Sequence, residues 1–447
     1  MEYLYIDEKG TQETIKALGS NKTPYTDEQK IELGTDNMKD FIATVVKISD
    51  VHLENVEYRY SNLEEEYKAK SQKFKNGKEE LKGNDILKKN FKYGIASLNQ
   101  RGLKFYDNLV DILIENKVDY HVFIINKIGL GIDKRLTDWI LKLGEREYLQ
   151  GIYRFKYSLI KYVENEASKE VIQALFNKNI SNGTVLNLIL SDIKAFIRQH
   201  KNFRFRDRLG TQLNIYKELN ILIEKYKKYL IDEDFKKESD KFIKLNWEKA
   251  VFSIDLWLIE LNINRADIEL SLDDGIKKTP FNKLELAKIH EGLDSENHVG
   301  LRIADVLVVL IGNYISKLTL DMKYDKSEPY KQKLISEEWF DIDSEQFNLI
   351  KKLYKYLFIN DNHYSFTNDL YFDDTVVFEA YLECIAQCDN YEDYKKVGIT
   401  NHIKNHLKIF TRKAFKKFTD MDKNERQIKE MCGSVREGVS QGLVRPL

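Results

Sequence analysis

Cysteine is nearly missing: the 447 residues hold three, Cys384, Cys388 and Cys432, and none precedes position 384. No disulfide framework can therefore organise most of the chain, and a reducing, cytoplasmic compartment fits. Four prolines and 21 glycines leave no material for collagen or long flexible linkers. Neither charge sign dominates, since 71 Lys and Arg face 72 Asp and Glu, a net charge of -1. That balance excludes a uniformly basic protein that coats nucleic acid. The start, MEYLYIDEKG, lacks the basic segment and apolar stretch of a secretory signal. Its longest apolar run, Ile303–Gly312, is interrupted by Asp305 and is too short to cross a bilayer. The expectation is a soluble intracellular protein without a membrane span.

Hydrophobic residues make up 42% of the chain and charged residues 32%, with 26 Tyr and 23 Phe, so large cores can be buried. The length suits two or three domains. Strand signals fall at 2–6, 41–48 and 120–125, and polar or amphipathic helix signals at 53–74 and 100–117. From 130 to 262 the apolar residues recur at helical spacing, with candidate helices at 132–143, 145–164, 168–178, 184–199, 210–231 and 234–262. Alternation returns at 266–272, an apolar helix follows at 299–318, and 330–430 again reads helical. The predicted fold is α/β: a mixed-sheet core from 1–128 and 264–320, a large α-helical insertion at 130–262, and an α-helical C-terminal extension at 321–447.

Four acidic positions stand where such a frame can bring them together: Asp7 ending the first strand, Glu80, Asp273 or Asp274 ending the late strand, and Asp305. Asp305 is the most informative, because it interrupts a segment that is apolar on most sides. A buried carboxylate is costly unless it is paired or binds a metal. Mg²⁺ and Mn²⁺ prefer carboxylate oxygens, and such ions can promote phosphodiester hydrolysis. The plainer alternative makes Asp7-Glu8-Lys9-Gly10 a turn and pairs Asp305 with Arg302.

Three motifs carry a resemblance. Tyr5-Ile6-Asp7-Glu8-Lys9-Gly10 resembles a strand ending in Asp-Glu-Ser-Gly, Glu80-Leu81-Lys82-Gly83 a Glu-x-Lys element, and Gly300-Leu301-Arg302-Ile303-Ala304-Asp305-Val306-Leu307 a Gly-Leu-Gln-x-Ala-Asp-x-Leu helix. In these three motifs the chain resembles the family called domain of unknown function 3800, whose members are placed in the RNase H-like superfamily. Lys9 and Arg302 depart from the family's usual Ser and Gln, and neither departure removes an acid. The resemblance covers 1–128 and 264–320 and leaves the insertion and tail unexplained. It implies an RNase H-like core and metal ligation by Asp7, Glu80, Asp273 or Asp274, and Asp305. Asp273 is preferred because it directly follows the strand signal, and Glu8 is a second candidate beside Asp7. Lys82 is placed to meet a scissile phosphate as a point charge. His298 is either a proton shuttle or a solvated loop histidine. The implied activity is metal-dependent hydrolysis of DNA or RNA with Mg²⁺ or Mn²⁺. Phage defence or a mobile element is a context compatible with the family that no residue here encodes.

Two basic segments are candidate nucleic-acid contacts. Residues 198–208 carry Arg198, Lys201, Arg204, Arg206 and Arg208 with interleaved Phe203 and Phe205. Residues 395–417 hold eight Lys and Arg, among them Lys408, Arg412 and Lys413, and no acid. They follow 357–393, which holds nine acids and no Lys or Arg, so the two stretches can instead pair with each other. Cys384-x3-Cys388 and His402-x3-His406 match a zinc spacing, although buried core positions are the commoner use of such residues. The rival to the nuclease is a non-catalytic nucleic-acid-binding protein or a helical scaffold that engages a protein partner. The sequence assigns no oligomeric state.

Overall fold

The computed structural model describes residues 1–9, 40–70, 74, 80–87, 91–149, 151–200, 210–233, 235–237, 243, 245, 247–322, 334–359 and 362–446. In chain order the sheet and its first helices are β1 (Glu2–Lys9), β2 (Asp40–Ser49), α1 (Asp50–Ala69), the short α2 (Gly83–Leu87), α3 (Gln100–Glu115) and β3 (Asp119–Asn126). The insertion supplies α4 (Lys127–Glu145), α5 (Ile152–Asn165), α6 (Lys169–Leu175), α7 (Asn182–Gln199), α8 (Gly210–Tyr226) and α9 (Trp247–Glu260). Then come β4 (Ile268–Asp273), β5 (Lys288–Leu293), α10 (Val299–Asp321), α11 (Ser344–Phe358), β6 (Phe366–Asn368), α12 (Asp373–Ala386), α13 (Tyr391–Val397), α14 (Ile399–Gln427) and α15 (Val435–Ser440).

The sheet order is β5-β4-β1-β2-β3-β6. The first three strands form an antiparallel meander, β4 runs parallel to β1, β5 parallel to β4, and β6 parallel to β3. Strand pleating divides β1 by face. Leu4 and Ile6 turn to α9 and β4 neighbours, while Tyr5 packs with α1, α3 and α10. The Tyr5 face continues into α11 and α12 of the tail, and the Leu4 face takes in Cys432, Val439 and Val444. A separate cluster joins α4 to α8 and draws in Leu370, Phe372 and Met421. By length and composition α10 could cross a membrane, but 78% of its apolar window is buried within the protein, so that surface serves as core.

The mixed α/β class agrees with the sequence, and several elements do not. The C-terminal region is not wholly helical, because β6 extends the sheet beside β3. Three residues are too short for a periodic signal, and pairing with β3 alone makes them a strand. β5 was likewise missed: Lys-Ile-His-Glu-Gly-Leu carries charges that suit a solvated edge strand. The predicted helix 145–164 begins at Ile152, after Glu147 and Gly151 adopt positive φ. Of the helix predicted over 234–262, α9 is the described helical part, and residues 234, 238–242, 244 and 246 lie outside the described residues. The basic helix splits at Gly398, where φ is +79°.

Candidate functional site

β1 delivers Asp7 to the sheet face covered by α10, where it is 8% exposed. Its Oδ1 accepts the Glu8 backbone N–H at 2.6 Å. Thr44 of β2 is the residue directly opposite, and opposed residues of an antiparallel pair point to one face. Thr44 is fully buried and its Oγ1 has no hydrogen-bond partner. Asp305 arrives from α10, and its Oδ2 accepts the Gly83 N–H at 2.6 Å. Two glycines set these approaches. A Cβ on Gly83 would stand 2.8 Å from Val309 Cβ, and one on Gly300 would enter the Tyr5 ring. Both belong to the motifs singled out in the sequence, and both act by letting backbone come close.

Glu80 and Lys82 lie just before α2. Lys82 Nζ is 2.6 Å from Glu80 Oε1 and donates to Ser295 Oγ at 2.9 Å, while Ser295 Oγ donates to the same Glu80 oxygen at 2.6 Å. Arg302 does not pair with Asp305. Its Nε reaches Glu64 Oε2 at 3.0 Å, and its Nη1 donates to the carbonyls of Ser295 and Glu296 at 3.0 and 2.8 Å. The Asp305–Arg302 alternative is thus set aside by geometry. Asp273, half-buried, ends β4, whereas Asp274 points to solvent. Glu8 is beside Asp7 at the strand's partly exposed end. His298 sits half-buried at the start of α10, where its carbonyl accepts the N–H groups of Leu301 and Arg302 at 3.1 and 3.2 Å.

The electrostatics join these groups into one cluster. Burial pushes the Asp7 carboxyl well above the usual carboxylate range, and the charges of Asp305, Glu8 and Asp273 push it further. Burial also raises Asp305, against the Gly83 N–H and Lys82, which favour its charged form. Asp273 is raised by burial and held back chiefly by Lys82. Burial alone would lower the Lys82 ammonium, but its bond to Glu80 and the charges of Glu80, Asp305 and Asp273 outweigh that and raise it.

Among the described residues, no three His, Cys, Asp or Glu side chains are arranged as a ready metal-ligand set. The chemistry of the donors does fit a hard divalent cation: Asp7, Glu80, Asp273 and Asp305 are carboxylates from four separate segments, and an orphaned buried hydroxyl adjoins one of them. Sequence reasoning missed Thr44, Ser295 and Glu64. Thr44 and Ser295 carry no motif signal, and Glu64 is one of three adjacent glutamates of which only the fold buries this one against Arg302.

The other sequence candidates lie elsewhere. Lys201, Arg204, Arg206 and Arg208 fall outside the described residues; Arg198 is exposed in the last turn of α7. Lys413 pairs with Glu379 and Glu383, both at 2.6 Å, and Arg412 with Glu383 at 2.9 Å, so these two serve the pairing of acidic and basic stretches. Lys408 is exposed on α14. The zinc spacing is used as core: Cys384 and both histidines are buried, and the Nε2 of His402 and His406 donate to the carbonyls of Tyr394 and Val377 at 2.9 and 3.2 Å. Compared with protein-family models, curated proteins and solved structures, the chain matches none.

Proposed function

We propose that the chain is a divalent-metal-dependent nuclease on an RNase H-like core, hydrolysing phosphodiester bonds of DNA or RNA. The observation that carries this reading is the meeting of Asp7 and Asp305. Asp7, buried on a central strand, feels the charge of half-buried Asp305 on a core helix, and Arg302 is committed to Glu64. Such an arrangement is unfavourable unless a cation joins it. The sheet supports the reading too. An RNase H-like core is an antiparallel meander of three strands extended past the first by strands parallel to it, and the β3-β2-β1-β4-β5 portion has that order and those directions.

Asp7, Asp305, Glu80 and Asp273 would hold Mg²⁺ or Mn²⁺, which supplies Lewis-acid stabilisation of charge on the phosphoryl oxygens. Asp7 and Asp305 are fixed by backbone N–H bonds and Glu80 by Ser295, so the donors are oriented before a ligand arrives. Lys82 offers a positive charge for a phosphate at the cluster's open side. A helical scaffold expects Asp305 to be neutralised by Arg302, and that pair does not form. The test is a cleavage assay on labelled single- and double-stranded DNA and RNA with Mn²⁺, Mg²⁺ or EDTA. Metal-dependent cutting lost in Asp7→Asn and Asp305→Asn is the expected result. No cutting on any substrate, with melting unchanged by Mn²⁺, would leave the scaffold as the better account.

A further inference from the structure

We infer that Lys82 is the resident counter-ion of the acidic cluster, and that a divalent cation enters by displacing its ammonium from Glu80. The inference rests on the metal reading above and concerns how the site is held before the ion binds. Glu80, Lys82 and Ser295 form a closed triangle of 2.6, 2.9 and 2.6 Å contacts around one carboxylate oxygen. The Glu80 side chain is 13% exposed and that of Lys82 is 40% exposed, so the ammonium has a path to water that the carboxylate lacks. Gly83, the next residue, clamps Asp305 through its N–H. One short segment therefore carries a ligand candidate, its counter-ion and a tether to a second ligand.

Lys82 contacts Glu80 and its charge also favours the ionised forms of Asp273 and Asp305, the latter with help from Lys9. Thr44 Oγ1, opposite Asp7 in the sheet, is fully buried and partnerless. An ammonium and a divalent ion on one Glu80 oxygen repel each other strongly at such short range, so the two compete for it. The lysine has a flexible four-carbon stem and can withdraw, whereas Glu80 and Asp305 are held.

The experiment is a calorimetric titration of Mn²⁺ into the full chain, comparing wild type, Lys82→Met and Lys82→Arg, with melting in EDTA as the folding control. Lys82→Met should bind Mn²⁺ about tenfold tighter than wild type and melt lower in EDTA, because the competing charge is gone. Lys82→Arg keeps a cation and should bind no tighter than wild type. A second measurement needs no variant: acetylation of Lys82, read by mass spectrometry, should quicken when Mn²⁺ is added to wild type. Mn²⁺ binding by wild type with unchanged or weaker binding in Lys82→Met, or with no change in Lys82 acetylation, overturns the displacement and leaves the metal site standing. Binding in Lys82→Met alone supports it most strongly. Failure of both proteins to bind Mn²⁺ overturns the metal reading itself.

Discussion

Asp7 and Arg302 behave oppositely when neutralised. Asp7→Asn removes a charge that burial and neighbouring carboxylates disfavour, so the metal-free variant should be more stable than wild type by about 1–2 kcal/mol in urea unfolding at pH 7. Because the folded Asp7 carboxyl titrates above its unfolded value, its contribution to stability falls as pH rises from about 4 toward neutrality. The gain from Asp7→Asn should therefore shrink on acidification. Arg302→Met leaves Glu64 buried without its partner and should cost about 3–5 kcal/mol in the same assay. Two buried histidines add a second pH dependence. Burial holds His121 and His406 down to about 4, so each is neutral in the folded protein and gains a proton on unfolding below about 6.5. Stability tied to them is present above that pH and is lost as pH falls toward 4. The urea midpoint of His406→Gln should drop less than that of wild type between pH 7 and pH 5.

At the scale of elements, the decisive contact is α10 on β1. Gly300→Ala would drive a methyl into the Tyr5 ring, and Gly83→Ala would press on Val309 Cβ. Each should cost about 1–3 kcal/mol by overpacking, measured by chemical unfolding. If the proposed metal site is right, Gly300→Ala should also weaken Mn²⁺ binding in calorimetry, since it pushes the start of α10, the helix of Asp305, off β1, the strand of Asp7. These glycines were legible as motif letters, but their work was not. Nothing in Gly-Leu-Arg-Ile-Ala-Asp says that a tyrosine ring lies against the first residue. The central strands were read nearly to their ends, because buried strands are continuous apolar runs: β2 is observed over Asp40–Ser49 where 41–48 was expected. Edge strands such as β5 carry polar residues and give no such signal.

Across the whole molecule, the tail is part of the core. α11 and α12 pack in the same cluster as β1 to β3 and α10, and β6 covers the outer edge of β3. A chain truncated after Met322 should lose its cooperative thermal transition by circular dichroism, because Trp339, Phe347, Phe378 and Tyr381 leave that core. The insertion is divided as well. Helices α4 to α8 gather in their own cluster, whereas α9 seals the opposite face of the sheet. Sequence alone determined the α/β class, the inner strands, the long helices and the acidic positions, since periodicity and a charge within an apolar run are local properties of the chain. Tertiary structure decided which charges meet. Asp305 accepts from Gly83 and acts on Asp7 rather than pairing with Arg302, Lys82 rests on Glu80, and the cysteine–histidine spacing dissolves into core. The contacts of Asp305 with Gly83 and of Arg302 with Glu64 span 222 and 238 positions, and only the packing of α10 into the core brings them within reach.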